Sequence, residues 1–307
     1  MPQAWQYLSH INKHPRDDHI YFHEPTHTYY VNKISSGNIS CTGFIHEFFG
    51  HFDGKAILTK MRRNPTKWAL SKYFGKTDEE IMKEWSDSGK AASEAGTAMH
   101  LAIEQFLHGA PEQINPAILD TPEWRYFLKF WEDCGPDLEP YRSEWEVFTD
   151  SLDNKSKKSK AERKIKLCGS IDMVFRRKSD GKFVIYDWKR SKEIKSENPF
   201  GSGLAPLEHL PDTNYRHYTM HLNVYKWILE NYYDVEVGDL YIVILHPDNP
   251  SYRRMRLNIM ENEVEDMIEC RRKAVETGKG TVVLPIAIEQ EKGKPLANPL
   301  ADFGFKF

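Results

Sequence analysis

The sequence predicts a mixed α/β (α+β) fold in which a helix, three strands, a second helix and a fourth strand follow in that order, preceded by a helical annex. Three observations carry the prediction. Apolar and β-branched runs stand together at 143–150, 166–177 and 182–190, the last two joined across Asp180-Gly181, a dipeptide that favours tight hairpins. Segments with a helical apolar period flank them at 77–107, 121–133 and 213–232. The run DLYIVILHP at 239–247 is apolar without alternation, as a strand covered on both faces requires.

Taken in order, aromatic and β-branched residues from Tyr21 to Cys41 surround Ser36-Gly37-Asn38 and predict a hairpin turning there. From Thr42 to about Leu107 the pattern is helical, and Thr77-Asp78-Glu79-Glu80 ahead of an apolar run is a capping signal. Phe48, Phe49, Phe52, Trp68 and Tyr73 enrich this annex; core packing is their expected role, with stacking of nucleic-acid bases as the alternative. Pro122 fits the first turn of the helix at 121–133. An amphipathic helix near 261–277 and a Gly/Pro-rich tail close the chain, and no internal repeat is present. These elements form one integrated domain with three regions: 1–90, 91–260 and 261–307.

With 307 residues, 40% of them hydrophobic and 28% charged, the chain can bury a core and is not of disordered composition. A net charge of −3 provides no global attraction for a polyanion, so a nucleic-acid surface must be local. The cationic run from Lys155 to Lys166, KSKKSKAERKIK, is the candidate strip, with a solvated loop as its plainer reading. No stretch reaches the roughly 18 apolar residues of a membrane span. The N-terminus lacks an apolar signal core, and Asp17 and Asp18 argue against a transit peptide, so a soluble intracellular protein, cytoplasmic or nuclear, is expected. Cys41, Cys134, Cys168 and Cys270 are scattered, which disfavours a zinc ribbon, an iron–sulfur cluster and a disulfide framework.

Counting outward from a two-residue loop at Asp180-Gly181 sets Asp172 opposite Lys189 and Val174 opposite Asp187, with Asp172, Asp187 and Lys189 on one face. Two carboxylates at the rim of a core repel unless a cation intervenes, and Lys189 offsets one charge only. Mg²⁺ suits such a site because it takes carboxylate oxygens and leaves positions for water and phosphate; a structural Asp–Lys ion pair is the alternative. In GTAMHLAIE, His100 and Glu104 share a helical face, and Gly96-Thr97 would let that helix approach a sheet closely. His100 alone would suit packing or the surface. Glu144 and Glu146 share a strand face opposite Trp145 and Val147. Tyr218, His221 and Tyr225 form a stripe that fits either a substrate groove or an amphipathic boundary.

In this order, GTxxH, a strand glutamate, GSID, DWK and YxxHxxxY resemble the PD-(D/E)xK nuclease superfamily, and within it the RecB-type branch that includes mitochondrial genome-maintenance exonucleases and related viral proteins. The likeness covers about residues 90–247 with motifs. It implies a restriction-endonuclease-like core and a Mg²⁺-dependent DNA exonuclease, with Mn²⁺ able to substitute, acting on single-stranded ends in replication, repair or recombination. It implies His100, Asp172, Asp187 and the Trp188 carbonyl as metal ligands, Lys189 as the catalytic lysine and Glu144, in preference to Glu146, as the upstream strand acid. Metal-activated water would then attack the phosphodiester. Arg190, Lys192, Tyr218, His221, Tyr225, Thr97 and Glu104 are the expected DNA contacts. His221 stands where the branch usually has glutamine, and its charge would depend on pH. A monomer is expected, a viral source is compatible with the branch, and no iron–sulfur cluster is expected. The rival readings are a non-catalytic nucleic-acid-binding protein on the same fold and a structure-selective endonuclease.

Two decoys fall on local grounds. Pro25 breaks the helix that the HExxH string at His23–His27 would need for zinc. Gly75-Lys76-Thr77 is no phosphate loop, because Leu70 stands at the first glycine position.

Overall fold

Strands apolar on both faces need cover on both faces, and that requirement organises the computed structural model, which describes residues 7–50, 53–150, 165–199 and 201–277. Its elements are α1 (Tyr7–Ile11), β1 (Ile20–His23), β2 (Thr28–Val31), β3 (Ile39–Ser40), α2 (Cys41–His46), α3 (Gly54–Arg62), α4 (Pro65–Ala69) and α5 (Asp78–Leu107). There follow α6 (Pro116–Leu119), α7 (Pro122–Cys134), β4 (Leu138–Phe148), β5 (Leu167–Arg177), β6 (Phe183–Lys189), α8 (Asn214–Tyr232), β7 (Val237–Ile244), β8 (Arg253–Arg256) and α9 (Glu261–Glu276). Phe52 and the basic run, apart from Ile165 and Lys166, lie outside the described residues.

β4 runs antiparallel to β5, β5 antiparallel to β6, β6 parallel to β7, and β7 antiparallel to β8. The parallel β6–β7 step is bridged by α8, as a crossover helix must do. Side chains of β6 alternate between two cores. Phe183 and Ile185 join residues of α2, α8 and α9, whereas Val184, Tyr186 and Trp188 join the end of α5 and α7. Each large side chain so buried stabilises the fold by roughly 1.5–3 kcal/mol, and Tyr186 and Trp145 have no exposed surface at all. The predicted order of helix, three strands, helix and strand is present.

Several local expectations differ. The N-terminal hairpin pairs Ile20 with Val31 and His23 with Thr28. It turns through Glu24-Pro25-Thr26, with His27 in the left-handed region, so the HExxH string is the turn itself. Ser36-Gly37-Asn38 instead leads into β3, which pairs in parallel with β5. The β5–β6 loop spans four residues rather than two, because Arg177 and Gly181 close a turn (Gly181 N–H to Arg177 O, 2.7 Å) inside the Arg177–Lys182 pair. The register therefore sets Val174 opposite Ile185. An error of two residues preserves the face of every paired side chain, and just past the last pair, Met173 with Tyr186, Asp172 and Asp187 remain near enough for the charge of one to act on the other. β8, with sequence RRMR, was invisible to apolar patterning because it is a charged edge strand.

The described residues divide into two units, one comprising those up to Gly50 and those from Met99 to Thr277, the other those within His51–Ala98. The second has its own core of Leu58, Tyr73, Ile81 and Trp85, and the Trp85 indole N–H donates to the Tyr73 hydroxyl at 2.8 Å. Thr77 and Glu80 form a reciprocal capping box at the start of α5, with Glu80 N–H to Thr77 Oγ1 at 3.2 Å and Thr77 N–H to Glu80 Oε2 at 2.8 Å. The first unit takes Phe48 and Phe49 fully into its core. Core packing thus accounts for Phe48, Phe49 and Tyr73. A Cβ added at Gly96 would meet nothing within 4 Å, so the expected close approach of α5 to a sheet does not occur there.

Candidate metal centre

The centre lies at a fork in the sheet. Cys168 pairs with Phe148 of β4 and with Ser40 of β3, so β3 occupies the edge of β5 opposite β4. Met173–Arg176 pair with β4 on one side and β6 on the other, so β6 shares that edge with β3. Among the described residues, Gly169–Asp172 has no strand partner on it. β6 has diverged by Trp188, and the Asp172 carboxylate takes over the ladder's task by accepting the Trp188 N–H at 3.0 Å.

Alternation also slips at this point. Ile171 and Val174 both enter one core, while Met173 and Phe175 enter the other. Opposite Asp172 on β4 is Glu144, whose φ of 39° lies in the left-handed region that a residue with a Cβ adopts only at a cost. Ser170 Oγ donates to Glu144 Oε2 at 2.9 Å and holds the carboxylate in place. The slip releases both acids from the two apolar layers and brings them to the fork.

α5 supplies the imidazole. His100 donates its Nε2 proton to the Trp188 carbonyl at 2.9 Å, which leaves Nδ1 facing Asp172 Oδ2 at 3.6 Å and Glu144 Oε1 at 4.0 Å. Nδ1 and one oxygen from each of Glu144 and Asp172 lie within 4.8 Å of one another, the sole such cluster of three among the described residues. Beside it Asp187, 3% exposed, forms an ion pair with Lys189 Nζ at 2.5 Å. Lys189 Nζ sits 5.0 Å from the ring centre of Tyr218, and His221 Nδ1 lies 4.0 Å from Asp187 Oδ1.

The electrostatics describe a site short of positive charge. Burial pushes the Asp172 carboxyl up against the counter-pull of His100 and Lys189. Asp187 is raised by burial and by the Asp172 charge. Burial lowers His100, but Asp172 and Glu144 outweigh it and lift the imidazolium to about 9. Two acids held above their ordinary range and one histidine held protonated are what a cation-binding pocket shows before its ion arrives. The donor set of imidazole nitrogen and carboxylate oxygens fits a hard divalent ion, and a histidine that donates its other N–H to a backbone carbonyl is the usual second-sphere arrangement.

The remaining predicted residues divide clearly. Trp188 presents its carbonyl to His100, as described. Tyr225, 4% exposed, is a packing residue; a Cβ on Gly169 would lie 2.5 Å from its hydroxyl, so only glycine fits beneath it. Gly169→Ala is expected to cost about 1–3 kcal/mol of stability in urea unfolding, the usual cost of forcing a methyl group into a packed site. Tyr218 is buried beside Lys189. Burial drives His221 down to about 4, so it stays neutral near pH 7 and is no switch there; its Nε2 is buried with no hydrogen-bond partner. Arg190 is engaged by Glu123 at 2.8 Å and Lys192 by Asp248 at 2.7 Å. Thr97 is exposed, one turn before His100 on α5. Glu146 is half-buried and not part of the cluster.

Glu104 does not face outward for phosphate. Leu8 N–H donates to His108 Nδ1 at 3.3 Å, so His108 Nε2 carries the proton it gives to Ser143 Oγ at 2.6 Å. Ser143 in turn donates to Glu104 Oε1 at 3.0 Å. Ser143, His108 and Ser170 escaped sequence reading; the adjacency of Ser143 to Glu144 and of Ser170 to the GSID acid was the available signal. Burial and then Glu144 raise Glu104 to about 7, above its unfolded value of 4.5. A group with a raised folded pKa contributes stability that is full below the unfolded pKa and is lost as pH rises through the folded one. Glu104→Gln, which keeps the Ser143 hydrogen bond, is therefore expected to stabilise the metal-free protein at pH 8 by about 2–3 kcal/mol, and by well under 1 kcal/mol at pH 5. Urea melts in EDTA at the two pH values measure the difference.

A family model described as the PD-(D/E)XK nuclease superfamily matches residues 57–282, nearly three quarters of the sequence, a span that includes His100, Glu144, Asp172, Asp187 and Lys189. The chain belongs to the PD-(D/E)XK nuclease superfamily. As a member of that superfamily it is a nuclease by lineage, its substrate class is nucleic acid, and divalent metal ions serve its relatives. Among solved structures, SSO0001 is 13% identical, with 78% of this chain and 76% of that one covered at a TM-score of 0.31. A Eubacterium rectale protein described as a candidate exonuclease is 11% identical, with 66% and 77% covered at a TM-score of 0.37. No curated protein sequence matches the chain. No described helix is long and apolar enough to cross a membrane.

Proposed function

We propose that this PD-(D/E)XK protein is a Mg²⁺-dependent deoxyribonuclease that hydrolyses phosphodiester bonds at the ends of single-stranded DNA. The observation that carries the reading is the convergence of His100 Nδ1 with oxygens of Glu144 and Asp172 within 4.8 Å, beside the buried Asp187–Lys189 pair. The residues that would hold the ion are His100, Asp172 and Glu144, with Asp187 adjacent. A divalent ion bound there supplies Lewis acidity and lowers the pKa of a bound water.

The chain's own groups do the rest. The Trp188 carbonyl fixes the imidazole so that Nδ1 becomes the ligand once its proton leaves. Asp187 holds the Lys189 ammonium in place, and burial loses to the attraction of Asp187 and Asp172, so its pKa is raised and it stays charged. A fixed ammonium beside the acids stabilises the negative charge that builds on the phosphate without reorganising during reaction. The likeness to RecB-type exonucleases supports the preference for single-stranded ends.

Digestion of linear and circular single-stranded DNA in Mg²⁺, with an EDTA control and Asp187→Ala, is the test. Linear DNA should be consumed, circles left intact, and both EDTA and the substitution should stop the reaction. Cleavage of circles would make the protein an endonuclease. Equal inertness of both proteins on single-stranded, duplex and branched DNA would defeat the enzymatic reading.

A further inference from the structure

The β1–β2 hairpin has two unlike faces. Ile20 and Val31 point inward onto Phe148 and Cys168, with Tyr29 packed against them, which ties the ribbon to the main sheet. Tyr21 and Tyr30 are directly opposed, one residue out of phase with that inner face, Tyr21 exposed and Tyr30 half-buried beside it. Tyr21 is 58% exposed, its ring centre 6.3 Å from that of Tyr30 and 6.3 Å from that of His23.

These rings line an open groove of about 560 Å³ shared with His19, His23, Asp18 and Lys33. Ile20 lines that groove and also a cavity of about 290 Å³ that contains Glu104 and Glu144. One residue, Ile20, thus stands between the groove and the cavity that Glu144 lines. Flat rings held on a short two-stranded ribbon, with an exposed ammonium and two imidazoles for phosphate or base edges, match unstacked bases and the backbone that joins them.

We propose that the outer face of the β1–β2 hairpin, through Tyr21 and Tyr30, is a stacking platform that holds bases of a single-stranded nucleic acid whose backbone runs on to the metal centre. The inference rests on the nuclease reading for its single-stranded substrate and adds the subsite that grips it. Duplex DNA keeps its bases stacked on each other and has no such use for the rings.

The test uses the full chain and a fluorescent oligodeoxythymidylate, with binding followed by anisotropy in EDTA so that nothing is cut. Tyr21→Ala with Tyr30→Ala should weaken single-strand binding by about tenfold or more and leave duplex binding within twofold. The paired Phe substitutions keep the rings and should bind as the wild type does. Hydrolysis of thymidine 5′-(p-nitrophenyl phosphate) in Mg²⁺, which needs only the metal centre, should be unchanged in the Ala pair and confirms an intact fold. Single-strand binding by the Ala pair within twofold of wild type overturns the platform, as does an equal loss in the Phe pair. If the wild type in Mg²⁺ hydrolyses neither this ester nor linear single-stranded DNA while the ring-dependent binding persists, the nuclease reading fails and the platform stands.

Discussion

Asp172→Asn is expected to lower Mg²⁺-dependent hydrolysis by about 10²–10³-fold or more while leaving the protein as stable as the wild type or more so. Asn keeps an acceptor for the Trp188 N–H, now at 3.0 Å from the carboxylate. What it loses is the charge that sits 3.6 Å from His100 Nδ1. Burial and like charge press that carboxyl toward its neutral form, so the amide relieves a cost while removing an ion ligand. Thermal melts in EDTA and single-turnover rates in Mg²⁺ measure the two halves. A matched fall in both would mean that Asp172 serves the fold and not the chemistry.

The second large effect concerns Lys189. Lys189→Met strands Asp187, 3% exposed, without its ion-pair partner at 2.5 Å, and should destabilise the protein by about 3–5 kcal/mol. Adding Asp187→Asn removes the stranded charge and should recover most of that stability, giving a clear coupling energy in a double-mutant cycle. Activity should not return, since the fixed positive charge and the acid are both gone. Recovery of activity in the double variant would show that the pair is only structural.

Much of this was legible in the residues, for reasons that differ from element to element. The central strands declare themselves through apolar runs, and the capping box at Thr77 and Glu80 through its spacing. The nearness of Asp172 and Asp187 survived a wrong loop length because strand faces repeat every second residue and the error was two, although the slip at Asp172 has no signal in that count. The fork itself was not legible. It depends on β3, two residues long, which the sequence assigns to a hairpin because Ser-Gly-Asn is a strong local turn signal and a parallel contact with a distant strand has none. Glu144 stands out in the sequence only through the family likeness, because the left-handed backbone that sets it opposite Asp172 has no signal in strand alternation. Arg190 and Lys192 look available for phosphate in the sequence, whereas Glu123 and Asp248, remote along the chain, engage them.

The open stretch of β5 has a consequence for how safely the centre is built. A strand margin without a neighbour is a template on which another polypeptide can pair, and proteins commonly blunt such margins with charge or cover. Here Gly169–Asp172, which among the described residues has β4 as its sole strand neighbour, lies between β3 and β6, with the Tyr225 ring set against Gly169 and the Asp172 carboxylate holding the Trp188 N–H. A ring at one end and a charged carboxylate at the other thereby blunt an interruption in the sheet that would otherwise invite pairing by another chain.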